Sequence, residues 1–212
     1  MGFELVPVAL IMAIVFTLSP KKMTVLPSDL TLLYEGGQVV SAQYAPTANV
    51  VLDRQIIYTF ITKTYRAIPT EDADLIATCL VQSAEVHCIE PMLITALIAR
   101  ESSFDRHAVS ATGAKGLGQI KDFNFKSLNI QDPFDIAENI AGTTLYLKNM
   151  ITVCKEKNPT LVFALASYFK GYTAVARDGV DDVSKGYIQD ILHLYGKLRK
   201  NRKTLEGISL NE

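Results

Sequence analysis

From residue 52 onward the apolar positions recur three and four apart, the spacing of helices with one buried face, and strict alternation is rare. A first helix is predicted over residues 52–65. Ile68-Pro69-Thr70 interrupts it, and Thr70 reads as the N-cap of a second helix, with Glu71, Asp72 and Asp74 in the turn where the dipole favours acids. That helix reaches about residue 85. Glu90-Pro91 restarts the chain, with Pro91 suited to the first helical position. Residues 123–128 suggest a short helical turn. Asp135 and Glu138 resemble a capping box that opens a helix with Ile136, Ile140, Leu147 and Ile151 on one face. Asn158-Pro159 opens another, ended by Gly171. Ser184 is expected to cap the last helix, with a stripe of Tyr187, Ile188, Ile191, Leu192, Tyr195 and Leu198. Upstream, apolar runs at 30–34 and 38–40 flank Glu35-Gly36-Gly37, a hairpin signal, and residues 45–49 read as a linker. The expectation is an all-α fold: one globular domain of six or seven helices over residues 52–200. A signal or anchor at 1–22, a membrane-proximal segment at 23–51 and a tail at 201–212 complete the chain.

Composition narrows the function classes. The net charge of −1 gives no broad basic field for nucleic acid. Lys197, Arg199, Lys200, Arg202 and Lys203 read as a solvated helix end that complements the dipole. Residues 5–18 carry no charge, and Lys21 and Lys22 follow. The run is short for a membrane span, which needs about 17–25 residues, and suits an export signal retained as an anchor. A buried N-terminal helix is the other reading. The expected location is therefore the periplasm or cell envelope, with attachment to the cytoplasmic membrane through this segment. Cys79, Cys88 and Cys154 form no CxxC pair, and His87 and His107 lack further ligands at useful spacing, so no metal or cofactor is expected.

The chemistry centres on residues 91–119. Ile94, Leu97 and Ile98 precede Glu101 by seven, four and three residues, so all four share one helix face. A carboxyl group on an apolar face tends to keep its proton, which suits a general acid. Periodicity alone fits a solvated or capping carboxylate at a helix end equally. A glycine loop follows, with Gly113, Gly116 and Gly118, ending on Gln119. No strand precedes it and no Gly-Lys-Ser/Thr is present, which argues against a nucleotide site.

Taken together, Glu101-Ser102-Ser103-Phe104, Ala108-Val109-Ser110, Gly113-Ala114, Gly116-Leu117-Gly118-Gln119, Asn139-Ile140 and Ala166-Ser167-Tyr168 with Gly171 resemble the soluble lytic transglycosylase domain, the lysozyme-like family that cuts bacterial peptidoglycan. The resemblance covers about half the chain. It implies that Glu101 is the single catalytic acid and that Ser102 faces the substrate. It implies further that Gln119 lines the sugar cleft, that Asn139 lies near its wall, and that the Tyr168 hydroxyl lies close to the acid. The partner it implies is a peptidoglycan glycan strand. The implied reaction cleaves the bond between N-acetylmuramic acid and N-acetylglucosamine and closes a 1,6-anhydro ring. A lysozyme-like hydrolase and a non-catalytic wall-binding domain are the alternatives. The chain departs from the family pattern at Gly118, where Met is usual, which predicts a missing apolar wall. It also continues Ile120-Lys121-Asp122 where the family often has Pro, and reads Phe169-Lys170 where Asn-Ala is usual.

Overall fold

The computed structural model describes residues 31–35, 38–41, 50–154 and 160–209. The segment at 1–22 and the linker at 45–49 lie outside the described residues. Two strands, β1 (Thr31–Glu35) and β2 (Gln38–Ser41), pair antiparallel with Tyr34 opposite Val39. Eight helices follow among the described residues: α1 (Val50–Thr64), α2 (Thr70–His87), α3 (Pro91–Ser102), α4 (Asp122–Leu128), α5 (Ile136–Cys154), α6 (Leu161–Lys170), α7 (Tyr172–Asp178) and α8 (Asp182–Ser209). None is long and apolar enough to cross a membrane.

The centre of the domain is α3. Every residue from Pro91 to Ala99 is buried, so this helix is apolar all round, as a helix enclosed by others must be. It packs on α1, α2 and α8, while α5 bridges α2 and α6. The expected stripes face inward: Ile136, Ile140, Leu147 and Ile151 on α5, and Tyr187, Ile188, Ile191, Leu192, Tyr195 and Leu198 on α8 are all buried.

Several helix starts differ from expectation. Pro69, not Thr70, occupies the N-cap of α2, and no side chain caps it. Glu138 N–H donates to Asp135 Oδ1 at 2.9 Å, one half of the capping box, but the Glu138 carboxylate accepts from Gln131 and Asp132 N–H instead of closing the other half. Asn158-Pro159 falls outside the described residues, and Thr160 caps α6, its hydroxyl accepting from Phe163 N–H. Asp181 caps α8 by accepting from Ser184 N–H, while the Ser184 side chain is buried. The short α7 was not anticipated. Nor are residues 201–209 a tail. They continue α8, and Arg202 forms an ion pair with Asp53 of α1, which is 1% exposed.

Candidate active site

Glu101 occupies the last turn of α3, above Ile94, Leu97 and Ile98, which are fully buried. The helix stops there because Ser103 and Phe104 both take positive φ, 54° and 65°. Left-handed backbone is unfavourable for non-glycine residues and persists where packing compensates. Here the turn drives the Phe104 ring back into the core, edge-on to Tyr65 at 5.0 Å and Phe60 at 6.2 Å between centroids. The last turn of α3, with its carboxyl group, is thereby fixed. Burial pushes the Glu101 carboxyl up to about 7, opposed by a hydrogen bond from Tyr187 and the charge of Arg100. The Tyr187 hydroxyl donates to Glu101 Oε1 at 2.5 Å. Burial and the neighbouring carboxylate raise the Tyr187 phenol well above its ordinary range, so it remains a donor.

The glycine loop lies beside this turn and is stitched to itself. Ser110 N–H donates to Ala114 O at 2.9 Å, Gly116 N–H to Ala108 O at 2.9 Å, and Lys115 and Ile120 exchange backbone bonds. Gly116 has φ +74°, and a Cβ there would lie 2.1 Å from Pro133 O, so only glycine fits. Gln119, also at positive φ, donates its amide to Ala108 O and Gly116 O. Its amide nitrogen serves the loop.

Asn139 is buried behind the glycine loop. It is 1% exposed, accepts from Gly118 N–H at 2.8 Å and donates to Pro133 O at 2.8 Å and Lys115 O at 3.3 Å. With its amide held by loop backbone, it braces the loop from α5. Tyr168 is also bonded differently from expectation. Its hydroxyl donates to Gly118 O at 2.7 Å, and the hydroxyl on the acid belongs to Tyr187. Tyr168 remains electrically close to the acid: burial raises its phenol most, and the Glu101 charge adds to the rise. Ser102 is half-buried, and its hydroxyl makes a long 3.4 Å bond back to Ile98 O. Nor does Gly118 leave a wall missing. A Cβ at 118 would sit 1.8 Å from Thr143 Oγ1, so Thr143 on α5 fills the volume a side chain would take.

A family model described as the transglycosylase SLT domain matches residues 79–191, just over half of the chain. The chain belongs to this family. The matched span runs from α2 into α8, so it includes both Glu101 and Tyr187. Membrane-bound lytic murein transglycosylase F of Desulfosudis oleivorans is 35% identical over 94 residues, 43% of this chain and 21% of the relative. The protein of the same name from Cronobacter sakazakii is 36% identical over 87 residues, 40% of this chain and 17% of the relative. The chain thus matches about a fifth of the length of these curated relatives. The fold resembles a crystal structure of an inactive mutant of lytic transglycosylase Slt from Pseudomonas aeruginosa, with a TM-score of 0.52 and 20% identity over 72% of this chain and 30% of that one. The helical fold class expected from the sequence is therefore that of the SLT domain. Within it, sequence reasoning placed Tyr187 on an apolar stripe and missed its hydroxyl. A tyrosine among aliphatic residues on a buried stripe needs a partner for its O–H, and that need was the available signal.

Proposed function

We propose that the domain is a peptidoglycan lytic transglycosylase in which Glu101 acts first as acid and then as base. The observation that carries this reading is the buried Glu101 carboxyl, pushed up to about 7, with no second carboxylate, among the described residues, in the set of groups that shift it. The first two acids that follow Glu101 in the sequence are occupied elsewhere. Asp105 is exposed and accepts from His107 N–H at 2.9 Å, and Asp122 is exposed and pairs with Lys115 at 2.9 Å. Hydrolysing glycosidases use two carboxyl groups, about 5–9.5 Å apart according to stereochemistry. A single carboxyl suffices if the sugar attacks itself.

Glu101 donates its proton to the glycosidic oxygen as the C1–O bond breaks. The Tyr187 O–H stabilises the carboxylate that remains. The muramic acid 6-hydroxyl then closes on C1 and returns its proton to Glu101. No water is consumed, and the tethered nucleophile gains from high effective concentration. Ser102 and the Gln119 amide oxygen are the polar groups offered to the sugar. The names of the relatives and the uncharged run at 5–18 support action in the cell envelope, outside the cytoplasmic membrane.

Digestion of purified peptidoglycan followed by mass analysis of the muropeptides tests the reaction. The expected ends are 1,6-anhydromuramyl, with no gain in reducing ends. Products one water heavier would make the protein a hydrolase. External protease applied to cells expressing the full chain tests location.

A further inference from the structure

Tyr168 and Phe169 are neighbours on the last turn of α6, and a helix turns successive residues about 100° apart. Tyr168 therefore points inward to the glycine loop, while Phe169 is left at the surface, 43% exposed. One face of Phe169 is stacked on the Tyr187 ring, with centroids 4.5 Å apart and planes 17° from parallel. Tyr187 is buried, bonded to Glu101, and carries the Arg100 guanidinium 5.4 Å from its centroid. Arg100 is itself held by Asp190 at 2.9 Å. The Phe169 ring thus stands one stacked ring away from the acid, on a support fixed at several points. Phe123 and Phe169 are the exposed aromatic residues among those described. Of the two, Phe169 is the one stacked on the residue that holds the acid.

An aromatic ring with one face supported and the other open suits the apolar face of a pyranose, whose axial C–H groups meet the electron-rich ring face. We propose that Phe169 is a sugar-stacking residue of the cleft, carrying a pyranose ring of the glycan next to the bond that Glu101 cleaves, an assignment that rests on the glycan-cleaving function above. A ring that merely covered Tyr187 would act through Glu101, and its loss would change turnover and the pH profile. A ring that holds sugar governs KM.

The chain contains no tryptophan, so Phe169→Trp supplies a single tryptophan, excited selectively over the tyrosines, at the platform. In the full-length Glu101→Gln chain, which leaves the polymer intact, it is titrated with soluble, uncross-linked glycan strands prepared from peptidoglycan. Emission should shift and saturate. In the active chain, Phe169→Leu, which keeps bulk but not the ring, should raise KM for the same strands about three- to tenfold, as expected for one lost aromatic stack, with kcat changed less than about twofold. Two results overturn the platform while leaving the enzyme reading intact. One is unmoved emission from a protein that still co-sediments with cell walls. The other is Phe169→Leu with KM unchanged, whether or not kcat and its pH profile move. A wild-type chain that neither binds nor cuts the strands would remove both readings.

Discussion

Glu101 holds its proton to about pH 7 because folding removes it from water, whereas in the unfolded chain the same carboxyl ionises near 4.5. Between those values the folded protein binds the extra proton, so this residue favours folding at low pH and opposes it as pH rises through 7. Glu101→Gln abolishes the titration. Its stability relative to wild type should therefore rise from pH 4 to pH 8, by about 3 kcal/mol at most, as denaturant unfolding at both pH values would show. Turnover should fall ~10²–10⁴-fold. The two tyrosines separate at this scale. Tyr187→Phe keeps the stack on Phe169 but removes a bond that lowers the Glu101 pKa. The limb of the pH–rate profile set by loss of the acid's proton should then move to higher pH as turnover drops. Tyr168→Phe deprives Gly118 O of its donor, at about 1–3 kcal/mol of stability, and should leave that limb in place. A pH–rate series on both variants distinguishes a hydroxyl on the acid from one on the loop.

At the scale of elements, the glycine loop is shaped by α5 as much as by its own residues. Gly118→Ala should destabilise the domain by about 1–3 kcal/mol, because its Cβ meets Thr143 Oγ1 and Cγ2. Thr143→Ala should recover part of that loss, since Thr143 Cβ would still lie 2.8 Å away. A double-mutant cycle by thermal unfolding measures the coupling. This pair shows where sequence reading ends. Glu101 was legible because its support comes from its own helix, at spacings that a periodicity argument sees. Asn139 and Thr143 act on backbone and glycine atoms about 25 residues away, and a residue's type does not disclose which carbonyl it will meet. Tyr187 lies 86 positions from Glu101, so its stripe was visible and its hydroxyl partner was not. Capping errors have a local cause. Pro69-Thr70 and Asp181-Asp182 with Ser184 each offer several adjacent candidates, and backbone geometry chooses among them.

Across the whole molecule, the long α8 closes the domain on the first helix. Arg202 reaches the buried Asp53 of α1, and Arg199 pairs with Glu90 at 3.3 Å. Removing residues 201–212 takes Arg202 from the buried Asp53 carboxylate, and the chain should lose stability. A urea midpoint unchanged on truncation would contradict this. The same helix touches α3 at both ends through like contacts, the Tyr195 hydroxyl on Glu90 and the Tyr187 hydroxyl on Glu101. Two such contacts on antiparallel rods act as a pair of dowels. With one, α3 could still pivot about it. With both, any axial slip strips two hydroxyls from two carboxyl groups at once. The proton donor is in this sense gauged from the far end of its own helix, and its placement against a sugar is a property of the frame.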